Sequence, residues 1–121
     1  MERVKLIVIA GPSASGKTTF VEALYRELHK YISVLSTDNY FHPFSHLNLE
    51  QRSQQNYDHP NSIDTDLLLH HISKMQKGLP IITPRYNFTQ HTRLTVGTPI
   101  HPKSVIIVEG LLALTITKLV E

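Results

Sequence analysis

A glycine-rich segment near the amino terminus constrains the fold of this chain more than any other feature. Residues 11–18 read GPSASGKT and match the pattern G-x-x-x-x-G-K-[ST] at every fixed position. A short β-branched run, Lys5–Ala10, precedes the segment, and apolar residues at helical spacing follow it. Glycines let such a loop wrap around an anion, and the N-terminus of the following helix favours negative charge. The sequence therefore predicts a phosphate-binding loop between a strand and a helix.

The loop supplies the candidate ligands of a nucleotide. Lys17 is expected to reach the β and γ phosphates of a triphosphate, which makes it a candidate catalytic residue, and the Thr18 hydroxyl is expected to ligate Mg²⁺. ATP and Mg²⁺ are the cofactors that this chemistry predicts. The candidate nucleotide-binding residues are Gly11, Pro12, Ser13, Ala14, Ser15, Gly16, Lys17, Thr18 and Thr19.

Composition excludes several classes of protein. The 121 residues suit one domain, and a net charge of +2 with scattered basic residues predicts no nucleic-acid partner. The absence of cysteine excludes a disulfide framework and cysteine-ligated metal sites. The first apolar run is too short for a signal peptide or a membrane span. A soluble, cytoplasmic protein without a membrane partner is expected.

Two further apolar runs, Ile32–Leu35 and Val105–Val108, predict parallel strands buried on both faces, like Lys5–Ala10. Asp38 follows the second strand and Glu109 the third, and the carboxyl ends of parallel strands meet at one edge of a sheet. Phosphoryl transfer to an alcohol needs a carboxylate that takes the hydroxyl proton and an acidic group that helps to hold Mg²⁺. Asp38 suits the first role and Glu109 the second.

Helical spacing predicts two helices. In the first, the buried face is expected to consist of Phe20, Ala23, Leu24, Leu28 and Tyr31. The second begins at an Asp64 cap and ends at Gly78, with Ile63 and Leu68 as a hydrophobic staple. Its expected buried face is Leu68, Leu69, Ile72 and Met75.

The remaining segments are less regular. Asn39–Ser62 shows no sustained periodicity and is interpreted as a substrate loop. Pro80–Thr83 and Arg93–Val96 are expected to pair as an irregular hairpin across Tyr86 and Phe88. The histidine pairs with possible metal-ligand spacing are expected to face solvent instead; they are His42 with His46 and His70 with His71.

Five segments, in this order and spacing, resemble the uridine (uridine/cytidine) kinases of the P-loop kinase superfamily: GPSASGKTT, STDNYF, NYDHPNSIDTDLL, PRYNFTQHTR and VIIVEGLL. The resemblance covers nearly the whole chain, and DHP and YNFTQHTR are its specific parts. It implies an α/β P-loop NTPase fold with a doubly wound parallel sheet, in which residues 1–121 form a single, amino-terminal core. A small nucleoside-binding insert of a helix and a hairpin is expected at about residues 39–100.

The resemblance also implies an activity, the ATP-dependent phosphorylation of uridine or cytidine at the 5′-hydroxyl in pyrimidine salvage. Asp38 would be the general base on that hydroxyl, and Asp58 would accept hydrogen bonds from the ribose hydroxyls. Tyr86 and Phe88 would pack on the pyrimidine, and His91 would form a hydrogen bond with its edge. The implied magnesium ligands are Thr18, Asp38 and Glu109.

The sequence departs from the family pattern in three places. Tyr40-Phe41 reverses the Phe-Tyr order expected after the catalytic Asp, and Asn61 and Asn87 stand where the family often has Asp. Family members also continue past Glu121, so this chain is expected to be truncated. On its own it is expected to associate into homo-oligomers through the open edge of Lys5–Ala10, to bind nucleotide weakly and to show no appreciable kinase activity.

Two alternatives stay open. One is a P-loop kinase of the phosphoribulokinase or pantothenate kinase type, although ribulose phosphate would call for basic residues where Tyr86 and Phe88 stand. The other is a truncated nucleotide-binding chain without activity. A GTPase is disfavoured because the sequence contains no N-K-x-D guanine-reading motif.

Overall fold

The computed structural model of the chain describes residues 4–10, 17–44, 46–55 and 62–110; for Lys17 and Thr18 it describes the backbone alone. In chain order the elements are β1 (Lys5–Ala10), α1 (Lys17–Leu28), β2 (Ile32–Ser36), a 3₁₀ helix (Thr37–Tyr40), α2 (Leu49–Ser53), α3 (Thr65–Gln76), β3 (Ile81–Thr83), β4 (Tyr86–Asn87), β5 (Thr92–Arg93), β6 (Thr98–Ile100) and β7 (Val105–Gly110).

A three-stranded parallel sheet forms the centre of the described fold. Its order is β1-β7-β2, with Ile9 and Ser36 on either side of Glu109. β7 is buried as its apolar run predicts, because strands flank it on both sides. The expectation that β1 is buried on both faces is wrong: β1 ends the order of this sheet, and Ile7 is 47% exposed.

Helix α1 forms where the sequence predicts it, but its predicted buried face is wrong. Val21 is buried and Leu24 is half-buried, so the helix meets β2 along a face with a spacing of three residues. The predicted face followed a spacing of four residues, and apart from Leu24 its side chains are exposed. The exposed members of the predicted set are Phe20, Ala23, Leu28 and Tyr31.

Helix α3 confirms its sequence signals. The Asp64 side chain caps it by accepting a hydrogen bond from the Leu67 amide at 3.2 Å, and Gly78 follows its end with φ of 83°. The face predicted to be buried packs in the main apolar core, which contains Leu68, Ile72 and Met75, with Leu69 at its margin. Neither α3 nor α1, the longest helices of the described ranges, is long and apolar enough to cross a membrane.

The segment predicted as an irregular loop contains two short helices. The 3₁₀ helix directly follows β2, and α2 begins with a capping box in which the Asn48 and Gln51 side chains bond each other's backbone amides. Five-residue α2 is too short to show apolar periodicity, so only its cap could have revealed it.

The hairpin pairs differently from the prediction. β3 pairs with β6, and Thr83 lies opposite Thr98, while β4 pairs with β5. The expected pairing of Pro80–Thr83 with Arg93–Val96 is therefore wrong. Gly97 explains the shift, since a side chain there would collide with the Thr83 carbonyl oxygen, so the backbone can pass close to β3 only at a glycine.

Candidate functional site

The two acidic residues predicted at the strand ends lie at the same edge of the parallel sheet. Glu109 is half-buried in β7, beside Ser36 at the end of β2. The chain then turns into the 3₁₀ helix, where the Asp38 amide donates to the Ser36 hydroxyl at 3.3 Å and the Asp38 residue is exposed. Ligands of parallel sheets bind at this edge. The catalytic and metal-binding roles of Asp38 and Glu109 stay predictions.

Close packing between β7 and the 3₁₀ helix sets the position of this turn. Thr37 is 1% exposed, and a side chain on Gly110 would overlap its hydroxyl group. Gly110 has φ of 154°, a conformation that residues with a Cβ rarely adopt. The glycine after Glu109 therefore lets the turn with Asp38 lie directly against the end of β7.

The predicted phosphate-binding loop is only partly covered by the described residues. Helix α1 begins at Lys17, shortly after β1 ends at Ala10, so strand and helix stand in the order that the motif requires. Thr19 is exposed in the first turn. Gly11–Gly16 lie outside the described residues, as do the side chains of Lys17 and Thr18, and their assignment to the nucleotide stays a prediction.

An aromatic cluster lies between the 3₁₀ helix and the hairpin; its members are Phe41, Tyr86 and Phe88. Ring centroids are 5.4 Å apart for Phe41 and Tyr86, 5.2 Å for Tyr86 and Phe88, and 6.5 Å for Phe41 and Phe88. Tyr86 and Phe41 are buried, whereas Phe88 is 57% exposed. Phe88 therefore offers the aromatic cluster's accessible surface, and Tyr86 is at the same time a core residue. Sequence reasoning missed Phe41, although it stands in the quoted STDNYF segment.

Polar contacts fix this cluster in place. The Arg93 guanidinium donates to the Phe41 carbonyl at 3.1 Å and pairs with the Asp64 carboxylate at 3.1 Å, which joins β5 to the start of α3. The Thr92 hydroxyl donates to the Pro43 carbonyl at 2.6 Å. The sequence predicted none of these contacts, because the partners are distant along the chain.

His91 lies in the turn that joins β4 and β5. Its φ is 52°, and the residue is half-buried. The Asn87 side chain shapes the same turn by accepting hydrogen bonds from the amides of Thr89 and Gln90, at 2.9 and 3.1 Å. His91 therefore belongs to the same hairpin as Tyr86 and Phe88, and its contact with a base stays a prediction. Asp58, the other predicted nucleoside ligand, lies outside the described residues.

A buried polar group lies beneath the 3₁₀ helix. The Tyr40 hydroxyl is 2.7 Å from His71 Nδ1 and accepts a hydrogen bond from the Thr83 hydroxyl at 3.3 Å. Burial raises the pKa of Tyr40 to about 12, and burial together with the charges of neighbouring cations lowers the pKa of His71. The expectation that His71 faces solvent is therefore wrong, whereas its neighbour His70 is exposed.

The chain is similar to two curated bacterial relatives. It is 44% identical over 119 residues to the uridine kinase of Aeromonas salmonicida (strain A449), covering 94% of this chain and 56% of the relative. It is 45% identical over 121 residues to the uridine kinase of Cronobacter sakazakii (strain ATCC BAA-894), covering 96% of this chain and 57% of the relative. The chain thus spans about half the length of the curated relatives it matches.

A solved structure confirms the fold. The D-glycerate 3-kinase from Cryptococcus neoformans var. grubii superposes with a TM-score of 0.65 at 19% identity, covering 93% of this chain and 44% of that protein. The superposition confirms the predicted α/β fold with a parallel sheet. The profile of the phosphoribulokinase / uridine kinase family matches residues 6–121, nearly the whole sequence. The chain therefore belongs to the phosphoribulokinase / uridine kinase family.

Proposed function

We propose that this protein transfers the γ-phosphate of ATP to the 5′-hydroxyl of uridine or cytidine, giving ADP and UMP or CMP. The observation that carries the proposal is the placement of Asp38 and Glu109 at one edge of a parallel sheet, with an aromatic cluster on the segment that follows Asp38. The names of the curated relatives support a nucleoside acceptor.

The donor half of the site rests on the glycine loop and the start of α1. Its backbone amides and Lys17 would hold the phosphates of ATP, and Lys17 would neutralise charge as the γ-phosphate leaves. The nucleotide-binding residues in this proposal are Gly11, Pro12, Ser13, Ala14, Ser15, Gly16, Lys17, Thr18 and Thr19.

Magnesium fits the donor chemistry of this edge. Mg²⁺ prefers oxygen ligands and is commonly held by one or two carboxylates together with substrate phosphates and water. Asp38 and Glu109 supply carboxylates, and Thr18 supplies a hydroxyl. The ion would screen the phosphate charge.

On the acceptor side, Asp38 is the proposed general base. An exposed carboxylate just beyond the sheet edge can accept the 5′-hydroxyl proton as the hydroxyl oxygen attacks the γ-phosphorus and the bond to the ADP oxygen breaks. Asp58 would accept hydrogen bonds from the ribose hydroxyls, since one carboxylate can bind both groups of a vicinal diol.

The aromatic cluster and His91 are the proposed contacts of the base. A flat pyrimidine packs well on an exposed ring face, which Phe88 offers, while buried Tyr86 supports that ring from below and can present its edge. His91 would form a hydrogen bond with the base edge. The proposal includes a role in pyrimidine salvage in the cytoplasm and self-association of the protein.

The structure favours this acceptor over the phosphorylated sugar of a phosphoribulokinase. A phosphorylated acceptor needs cations, but the aromatic cluster is uncharged, and its neighbour Arg93 is engaged with Asp64 and the Phe41 carbonyl. An inactive nucleotide-binding chain is the second alternative, which the partial coverage of the relatives keeps open.

An acceptor panel tests the proposal. The protein, expressed at the full length of its gene, is given Mg-ATP with uridine, cytidine, ribulose 5-phosphate or pantothenate, and ADP release and the phosphorylated product are measured. Turnover with the two nucleosides alone is expected. Turnover with ribulose 5-phosphate or pantothenate would assign the other kinase type, and nucleotide binding without turnover would assign the inactive chain.

A further inference from the structure

Three buried polar side chains from three different elements meet beneath the turn that bears Asp38. Tyr40 is the last residue of the 3₁₀ helix and is 0% exposed. Its hydroxyl lies 2.7 Å from Nδ1 of His71 on α3 and 3.3 Å from the hydroxyl of Thr83 on β3. The three side chains therefore join the turn to both elements that support it.

The donor and acceptor roles of the three side chains give an assignment of their protons. The Thr83 hydroxyl donates to the Tyr40 oxygen, so the Tyr40 proton is available for His71. In this assignment His71 Nδ1 is the unprotonated acceptor and the ring proton is on Nε2. The same arrangement leaves no buried side-chain polar atom of the described residues without a partner. The chain of donors thus runs from Thr83 through Tyr40 to His71.

We infer that this hydrogen-bond chain is a positioning device that holds the Asp38 turn in the geometry needed for phosphoryl transfer. The role given to Asp38 rests on the proposed function; the fixing of the turn does not. Tyr40 is held twice, because its carbonyl also accepts a hydrogen bond from the Asp64 amide at 2.7 Å. At the other end of the 3₁₀ helix, Thr37 is packed against Gly110. Asp38 lies between these two fixed points.

The order Tyr40-Phe41 suits the different surroundings of the two residues. The residue that turns into the core carries the hydroxyl, and the residue that enters the aromatic cluster is hydrocarbon. A phenylalanine at position 40 would fill the same volume and would leave His71 Nδ1 and the Thr83 hydroxyl without their partner. The Tyr40 hydroxyl therefore adds contacts to His71 and Thr83 that packing of the ring alone cannot supply.

Isosteric variants of the protein, expressed at the full length of its gene, test this inference. Tyr40→Phe and Thr83→Val each delete one link of the chain, and Tyr25→Phe makes the same chemical change at an exposed ring of α1. For Tyr40→Phe, kcat with uridine is expected to fall about five- to tenfold, while the KM for ATP stays within about twofold. Tyr25→Phe should match the unmodified protein. The double variant should be no slower than Tyr40→Phe, because both changes break the same chain.

Amide hydrogen exchange and ring nitrogen shifts supply readouts that do not depend on turnover. Exchange at Asp64, which bonds the Tyr40 carbonyl, should accelerate about five- to tenfold in Tyr40→Phe, while Leu35 and Val108 in the buried strands stay unchanged. The ¹⁵N shifts of His71 should show Nδ1 unprotonated and Nε2 protonated.

Three results would overturn the inference. They are an unchanged kcat in Tyr40→Phe, an equal acceleration of exchange at Asp64 and Leu35, which would mean a general loss of stability, and a protonated His71 Nδ1. If the unmodified protein shows no uridine-dependent turnover, the proposed function fails instead. Exchange at Asp64 and the His71 shifts then decide on their own whether the hydrogen-bond chain fixes the turn.

Discussion

Gly110 at the end of β7 packs directly against Thr37, the first residue of the 3₁₀ helix that carries Asp38. A Cβ on Gly110 would overlap the Thr37 hydroxyl, and the Gly110 φ of 154° disfavours any side chain. This contact packs the 3₁₀ helix that carries Asp38 against the end of β7, next to Glu109. The geometry of the proposed site thus depends on the glycine that follows Glu109.

Replacing this glycine is expected to be costly. Gly110→Ala should lower the free energy of unfolding by about 2 to 4 kcal/mol, since backbone strain adds to an overlap with a buried neighbour. Urea unfolding measures the loss. Gly78→Ala, at a positive φ after α3, is the control and should cost about 1 kcal/mol. A cost no larger than that of the control would show that the Gly110 contact is not tight.

Lys17→Ala should abolish or greatly weaken Mg-ATP binding and leave the fold intact, because Lys17 begins α1 and alanine is a strong helix former. Calorimetry measures the affinity, and Lys30→Ala at an exposed turn provides a control of equal charge. An unchanged affinity in Lys17→Ala would remove the phosphate-loop assignment.

Asp38→Asn should lower kcat by about 10² to 10⁴ while nucleoside affinity is nearly retained, because the amide cannot accept the hydroxyl proton. Steady-state kinetics with uridine and equilibrium binding separate the two quantities. Asp66→Asn, exposed in the first turn of α3, should turn over normally. Normal turnover in Asp38→Asn would reassign Asp38 to capping the turn.

Local signals made part of this architecture predictable. The Asp64 cap and Gly78 stop of α3 act within a few residues, and the run before Glu109 suits a central parallel strand, so both elements were identified correctly. The contact between Tyr40 and His71 joins residues 31 apart in sequence, and no local rule forecasts it. The exposed face of α1 was missed for a related reason, since spacing alone does not show which neighbouring face meets a sheet.

Arg93 is expected to hold the hairpin onto the start of α3. Arg93→Met keeps much of the side chain's apolar volume and removes both the ion pair with Asp64 and the bond to the Phe41 carbonyl. The free energy of unfolding should fall by about 1.5 to 3 kcal/mol, because the lost hydrogen bonds are charge-assisted and partly buried. Exposed Arg85→Met should change it by less than about 0.5 kcal/mol. Equal losses in the two variants would contradict this role.

The burial of His71 predicts that the free energy of unfolding depends on pH. Burial is the main cause that lowers the pKa of His71 from 6.5 in the folded protein, and the charges of neighbouring cations lower it further; these are His70, Lys74 and Arg93. The Asp64 carboxylate has a smaller, opposite effect. Below pH 6.5 His71 binds more protons in the unfolded chain than in the folded protein. The stability that neutral, buried His71 contributes is therefore complete above pH 6.5 and is lost as the pH falls.

Urea unfolding between pH 8 and pH 5 isolates this contribution when His71→Gln is compared with exposed His70→Gln. The slope of stability against pH should become shallower only in His71→Gln, by at most about 1.4 kcal/mol per pH unit. Identical slopes in the two variants would mean that His71 does not titrate in the folded protein as its burial demands.

The most direct test of the central claim follows the phosphate itself. ³¹P NMR of the protein at the full length of its gene, with Mg-ATP and uridine, should show the γ-phosphate signal of ATP decline as the UMP phosphate signal grows. The conversion should require uridine and should be lost in Lys17→Ala. Phosphate released as inorganic phosphate, or ATP unchanged in the presence of uridine, would contradict the assignment of this site to nucleoside phosphorylation.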